Sequence, residues 1–265
     1  MTRPPDDPQR GFRARAVRYD GAQGESRDFA VAVEAPINIV YGDTPYAVMM
    51  ATPADVEDFV YGFSLTEGVI GAAREIRGVG ISRQREGYVA SVDLAPDALR
   101  RHMARRRNLS GRTSCGLCGV EDFKQLPSAP GKVGARDVAP AAIAAALATL
   151  HARQVLFRAT RSVHAAAWCD ADGGVLVVRE DVGRHNALDK TIGACLRGDH
   201  AAREGFALIT SRCSFEMIEK AAIFGAPALV SVSAPTSLAI ERAQALGVTL
   251  IAVARDDGAL AFVTP

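Results

Sequence analysis

Between residues 174 and 254, short apolar runs alternate with helical patterns, and this alternation constrains the fold more than any other feature. Continuous apolar strands are predicted over 174–179, 206–210, 228–233 and 249–254. Helical patterns fall between them at 186–196, 215–224 and 237–246, and a further helix is predicted over 141–154. Strands that are apolar on both faces and separated by helices imply a mostly parallel sheet with helices covering both sides. In such sheets ligands bind beyond the carboxyl ends of the strands. Those ends read Glu180-Asp181-Val-Gly-Arg184-His185-Asn186, Ser211-Arg212-Cys213-Ser214, Ser233-Ala-Pro-Thr236-Ser237 and Arg255-Asp256-Asp257-Gly258. All four are polar, and three run into helix N-termini, whose free N–H groups and positive dipole end suit an anion. Ser214 and Thr236 also have the residue type of plain helix N-caps. Taken as a set, with Arg184, Arg212 and Arg255 among them, the four ends point to a pocket for an anionic ligand.

The first half follows a different pattern. A disordered leader is expected over residues 1–12, where Pro and charge dominate. Short strands are predicted over 13–19, 30–33, 37–41 and 88–94. A helix should open at Thr52-Pro53 and end near Gly68, with Val56, Phe59, Val60 and Phe63 on its apolar face. Ala95-Pro96 should start another helix, which runs into a basic stretch from Arg100 to Arg107. A Gly-rich loop over 110–120 follows, and then Pro127, Pro130, Gly131 and Gly134 mark a linker. The division is therefore an α+β domain over 13–126 and an α/β domain over 135–265.

Composition narrows the function. There are 31 basic against 30 acidic residues, so the formal net charge is +1 and a nucleic-acid binder driven by bulk charge is excluded. No apolar run reaches the roughly 18 residues of a membrane span, and the N-terminus lacks the apolar core of a secretory signal. A reducing cytoplasmic setting is expected, and an odd count of five cysteines fits no disulfide framework.

Two cysteines, Cys115 and Cys118, form a CxxC inside the Gly-rich loop. This spacing admits three readings. A structural zinc site needs four ligands, and a second CxxC or close His pair is missing. A thioredoxin-like redox pair should open a helix after a strand, whereas Gly116 and Gly119 flank this pair in a loop. A sulfur carrier would use a mobile loop to take a sulfane sulfur as a persulfide and pass it on, with Arg112 and the upstream arginines favouring the thiolate. His164 invites comparison with zinc nucleobase deaminases. However, the residue two after it is Ala166, not the Glu their chemistry needs, and the CxxC lies upstream. Cys169, Cys195 and Cys213 are expected in the core or pocket wall.

Several runs together carry a family resemblance. They are Glu57-Asp-Phe-Val-Tyr-Gly-Phe-Ser-Leu-Thr-Glu-Gly68, Gly111-Arg-Thr-Ser-Cys-Gly-Leu-Cys-Gly-Val-Glu121 and Arg179-Glu-Asp-Val-Gly-Arg-His-Asn-Ala-Leu-Asp-Lys190, with Ser214-Phe-Glu-Met217 and Val232-Ser-Ala-Pro-Thr-Ser-Leu238. In this order they resemble the formate dehydrogenase accessory proteins of the FdhD family, from about residue 30 to the C-terminus. The resemblance implies a sulfurtransferase. A cysteine desulfurase would load Cys115 as a persulfide, with Cys118 assisting by relay or resolution. The sulfur would go to the molybdenum bis-molybdopterin guanine dinucleotide cofactor, for which GDP is a mimic, on its way into formate dehydrogenase. It further implies a homodimer, a cytidine-deaminase-like second domain without a structural metal, and a cofactor-binding stretch at Val253, Ala254, Arg255, Asp256, Asp257 and Gly258. Asp181, Arg184, His185, Ser214 and Thr236 are the further candidates for cofactor contact or loop support. The competing expectation is a chaperone that carries the cofactor and performs no sulfur chemistry.

Overall fold

The computed structural model describes residues 7–20, 23–106, 129, 131–198 and 200–265. Cys115, Cys118, Arg107, Arg112, Pro127 and Pro130 lie outside the described residues. Two strands, β1 (Gln9–Arg15) and β2 (Ser26–Ala32), pair antiparallel as a ribbon with Phe12 opposite Phe29. Residues 9–12, which fall within the stretch read as a disordered leader, lie in β1. They find a ladder partner in β2, which the local composition does not reveal.

A four-stranded sheet follows, in the order β4-β3-β6-β5, from β3 (Ala35–Tyr41), β4 (Thr44–Ala51), β5 (Ile76–Arg83) and β6 (Tyr88–Leu94). Helix α1 (Val56–Thr66) covers its inner face, and α2 (Pro96–Arg106) follows β6 in the chain. Helix α1 starts three residues later than an N-cap at Thr52 and a first turn at Pro53 suggest. Thr52 instead ties the first half to the second. It donates its backbone N–H to Asp181 (2.9 Å), and its hydroxyl accepts from the Val182 N–H (3.2 Å).

The second sheet has six strands in the order β12-β11-β10-β9-β7-β8. They are β7 (His164–Asp170), β8 (Val175–Asp181), β9 (Gly205–Ile209), β10 (Ala228–Ser231), β11 (Thr249–Arg255) and β12 (Gly258–Val263). Strands β9, β10 and β11 are parallel, and β7 and β12 run antiparallel to their neighbours. Because β8 is antiparallel to β7, it points the same way as β9. Four strands of six therefore share one direction, in a mixed sheet whose β9–β10 and β10–β11 pairs are parallel.

Helices α3 (Pro140–Arg153) and α4 (Val155–Thr160) lie on one face of this sheet. There Ile143, Ala146 and Leu150 pack on Ala165, Ala167, Phe206 and Leu208. Helices α5 (Arg184–Arg197), α6 (Phe215–Phe224) and α7 (Ser237–Leu246) cover the other face, where Ala166, Trp168, Ala207, Ile209 and Leu250 belong to one core with Phe59, Phe63 and the first sheet. The alternation of side chains along each strand assigns them to the two faces. Among the described residues, no helix is long and apolar enough to cross a membrane.

The two halves join where α1 crosses α5, and glycine sets the distance. A Cβ on Gly62 would stand 1.8 Å from the Asp189 carbonyl oxygen, and one on Gly193 would stand 1.8 Å from that of Asp58. No side-chain adjustment relieves a clash with backbone, so only glycine permits this contact. Charge fastens the same joint. Asp58 accepts from Arg179 Nε (2.8 Å) and Arg197 Nη1 (2.5 Å), and the enclosed Asp181 pairs with Lys190 at 2.7 Å.

Candidate functional site

The shared strand direction brings the four polar ends to one edge of the second sheet. The antiparallel β7 adds its first residue, since His164 pairs with Asp181 across the ladder. Side-chain alternation then divides this edge into two polar regions, one on each face.

On the α3/α4 face lies a cavity of about 1000 Å³. Ala254, Arg255, Asp256 and Asp257 form one wall. The opposite wall, from α3 and α4, includes His151, Gln154, Phe157 and Arg161, none of which the strand-end argument identified. The six residues of α4 are too few to show a helical period. Glu180 pins this helix by accepting the Leu156 and Phe157 N–H groups, each at 2.8 Å.

Of the three described non-glycine residues with positive φ, Arg161 (φ 57) lines this cavity and Val253 (φ 54) immediately precedes its Ala254–Asp257 wall. For a β-branched residue such as Val253 the left-handed region is strained, at a cost on the order of 1–3 kcal/mol. The irregular ladder between Ala252 and Arg255 absorbs that turn. It re-aims the end of β11 just before the hairpin at Asp256 and Asp257.

On the α5/α6 face, Arg184 and His185 open α5, and Ser214 and Glu216 open α6. Arg184 Nε and His185 Nε2 are buried and lack a hydrogen-bond partner among the described residues. Burial, reinforced by the Lys220 and Arg184 charges, pushes the pKa of His185 down to about 4, so its ring is neutral near pH 7. Burial and Arg184 lower His164 in the same direction. His164 also lines the cavity, so it stands between the two regions. Burial alone would raise the Glu216 carboxyl. The Ser214 hydroxyl, its own backbone N–H and nearby His185 and Arg184 hold it below its ordinary value instead.

The other candidates have defined structural roles. Thr236 is the N-cap of α7, accepting from the Ala239 N–H at 3.3 Å. Ser214 caps no N–H of α6. Asp181 is fully buried beneath the edge and accepts from Thr52, Gly183, Asn186 and Lys190. That geometry is loop support. Gly258 opens β12 after the hairpin, paired with Arg255. Cys169, Cys195 and Cys213 are buried, as expected, and burial pushes each thiol up to about 12. Among the described residues, no group of three or more His, Cys, Asp or Glu side chains could hold a metal ion.

The low pKa of His185 links the site to stability. An unfolded histidine takes a proton near pH 6.5, whereas the folded ring resists it until about pH 4. Between these values the unfolded chain binds more protons, so stability falls as the pH drops through that window. We expect the His185→Gln variant to lose less stability than the unaltered chain between pH 7 and pH 4. Urea midpoints measured across that range check this, and parallel curves would show that His185 is not responsible.

Comparison with known proteins places these features in context. A family model described as the FdhD/NarQ family matches residues 32–265. The chain is 45% identical over 249 residues to a sulfur carrier protein FdhD from Xanthomonas axonopodis pv. citri, covering 94% of this chain and 89% of the relative. It is 42% identical over 258 residues to another, from Bordetella parapertussis, covering 94% and 91%. Among solved structures it resembles a crystal structure from Desulfotalea psychrophila, described as that of a formate dehydrogenase accessory protein. The TM-score is 0.77 at 27% identity, and 98% of each chain is covered.

Proposed function

The chain belongs to the FdhD/NarQ family, and on that premise we propose that it is a sulfurtransferase carrying sulfur as a persulfide on Cys115 for the maturation of formate dehydrogenase. The observation that carries this reading is the state of the other cysteines. Cys169, Cys195 and Cys213 are enclosed, with thiols pushed up to about 12. The thiolate is the nucleophile, and at neutral pH a thiol of that pKa is almost wholly protonated. Of the five cysteines in the chain, Cys115 and Cys118 remain as carriers.

Loading is a thiol–persulfide exchange. The Cys115 thiolate attacks the terminal sulfur of a cysteine desulfurase persulfide, the donor S–S bond breaks, and the donor cysteine leaves as a thiolate. Delivery as sulfide consumes two electrons, because the sulfane sulfur is formally zero-valent. Cys118 supplies them: its thiol attacks Cys115, closes a disulfide and releases the outer sulfur as sulfide. The acceptor is the molybdenum bis-molybdopterin guanine dinucleotide, bound as cargo. The 1000 Å³ cavity, with Arg255 and Arg161 in its walls, supports a phosphate-bearing ligand there. Arg184, His185 and Ser214, at the starts of α5 and α6, are proposed to meet its second anionic part across His164. The working form is a cytoplasmic homodimer.

Incubation with a desulfurase and cysteine, followed by mass spectrometry of the intact chain and its peptides, tests the reading. The expected product carries about 32 Da on Cys115, removable by reductant. A chain that binds GDP yet gains no such mass on Cys115 or Cys118 would instead be a cofactor-carrying chaperone.

A further inference from the structure

The ribbon of β1 and β2 stands apart from both sheets and, but for Ala32, lies before the stretch that the family model matches. A two-stranded ribbon is marginal by itself in water. Here β2 has α4 against it. Strand β1 is an open edge, with β2 as its sole ladder partner among the described residues.

The register fixes which backbone groups of β1 face outward. The Ala16 N–H donates to the Glu25 carbonyl at 2.9 Å, and the Val33 N–H to that of Pro8 at 2.7 Å. Hydrogen-bonded pairs alternate along an antiparallel ladder, so Arg10, Phe12 and Ala14 exchange bonds with β2. Gln9, Gly11, Arg13 and Arg15 turn their N–H and C=O groups away from it. The Asp7 side chain takes the Gln9 N–H at 3.1 Å. The N–H groups of Gly11, Arg13 and Arg15 have no partner among the described residues.

Side chains alternate too. One face of the ribbon sets Phe12 (57% exposed) opposite Phe29 (40% exposed), with Val31 beside them. The other face of β1 carries Arg13 and Arg15. The strand holds three arginines and no acid. Arg13 has Asp28 at 3.7 Å, with both side chains exposed. Arg10 and Arg15 have no carboxylate partner among the described residues. A second copy of β1 would set three more arginines against these three, and like charges on paired strands repel. The edge selects the opposite charge.

We propose that β1 is a docking edge for an extended acidic segment of a partner protein, which joins the ribbon as a third strand. The segment's backbone pairs with the outward groups of Gly11, Arg13 and Arg15. Its side chains divide by alternation: carboxylates lie beside Arg13 and Arg15, and β-branched groups beside Phe12. The role is separate from sulfur transfer and from the α3/α4 cavity.

Fluorescence polarisation of the full chain with a short labelled peptide of alternating Glu and Val tests this. The peptide should bind saturably and more weakly at high salt, whereas its Lys-for-Glu counterpart should not bind. Gly11→Pro removes an outward N–H that is no part of the β2 ladder, and a Cβ at Gly11 meets nothing within 4 Å. This variant should lose about tenfold in affinity, the effect of one hydrogen bond and a blocked edge, while Gly11→Ala binds as the unaltered chain does. Arg13→Gln/Arg15→Gln should weaken the peptide about three- to tenfold. Amide hydrogen exchange reads the edge without any substitution: the Gly11, Arg13 and Arg15 N–H groups should slow when the peptide is bound. Unchanged exchange at all three, or no saturable binding of the peptide, would overturn the proposal. So would a single-stranded oligonucleotide that binds as tightly as the peptide and is equally indifferent to Gly11→Pro, since the arginines would then be a general polyanion surface.

Discussion

The Cys115→Ala variant is expected to abolish formate dehydrogenase maturation in a strain lacking the native chain, with activity at background, while its melting temperature stays that of the unaltered protein. Sulfur transfer needs a thiolate that can reach donor and acceptor in turn. Cys169 and Cys195 are closed into the core, and Cys213 is buried in the loop after β9, where its backbone bonds to the β10 loop at Ala234 and Thr236. None can take over, because ionising a thiol of pKa about 12 at pH 7 costs on the order of 7 kcal/mol. The Cys118→Ala variant should separate the two half-reactions: the persulfide forms on Cys115 and accumulates, because the electrons for its release are missing. Restored activity with Cys115→Ala would overturn the persulfide mechanism.

The second large effect is structural. Asp181→Ala should destabilise the chain by about 3–5 kcal/mol, the cost typical of breaking a buried ion pair from one side. Asp181 and Lys190 are both fully enclosed and 2.7 Å apart. Without the carboxylate, the ammonium of Lys190 faces, among the described residues, only the carbonyls of Thr52 (2.9 Å) and Glu180 (3.4 Å). The N–H groups of Thr52 and Gly183 and the amide of Asn186 lose an acceptor as well. Thermal unfolding should show a loss on the order of 10 °C for a chain of this size. The double variant Asp181→Ala/Lys190→Met should recover much of it, because the stranded charge is then gone. A single variant that melts with the unaltered protein would show that the joint does not depend on this pair.

The sequence was informative where a local pattern is strong. Val56, Phe59, Val60 and Phe63 marked the buried face of α1, and all four are core residues. The strands β9, β10 and β11 and the helices between them were legible because each is a short apolar run or a full helical period. Other elements left weaker traces. Strand β7 carries three alanines, β5 two glycines and β4 a run of Ala and Met, residue types with low or neutral strand preference. These strands form because they have ladder partners far along the chain. Strand β12 was missed because Asp256, Asp257 and Gly258 look like a terminal turn, when they are the tip of a hairpin.

The candidate site shows the same division. The polar strand ends were visible as residues, but not the face to which each is turned. Two neighbouring strand ends can serve opposite faces, and the register of the ladder settles which. Asp181 illustrates this. From sequence it stands at a strand end beside two basic residues, as a ligand contact would. In the fold it is an enclosed acceptor for Thr52, a residue 129 positions earlier.

By itself, then, the sequence determined the layered α/β half and the polar ends of its strands, and it singled out the CxxC pair as the candidate sulfur carrier. These follow from local periodicity and from what each side chain can do. Tertiary structure decided that α1 meets α5 at Gly62 and Gly193, that α4 supplies the second wall of the cavity, and that Asp181 supports the edge from beneath. Those outcomes depend on contacts between segments far apart in the chain, where fit and burial choose the partners and no local pattern records the choice.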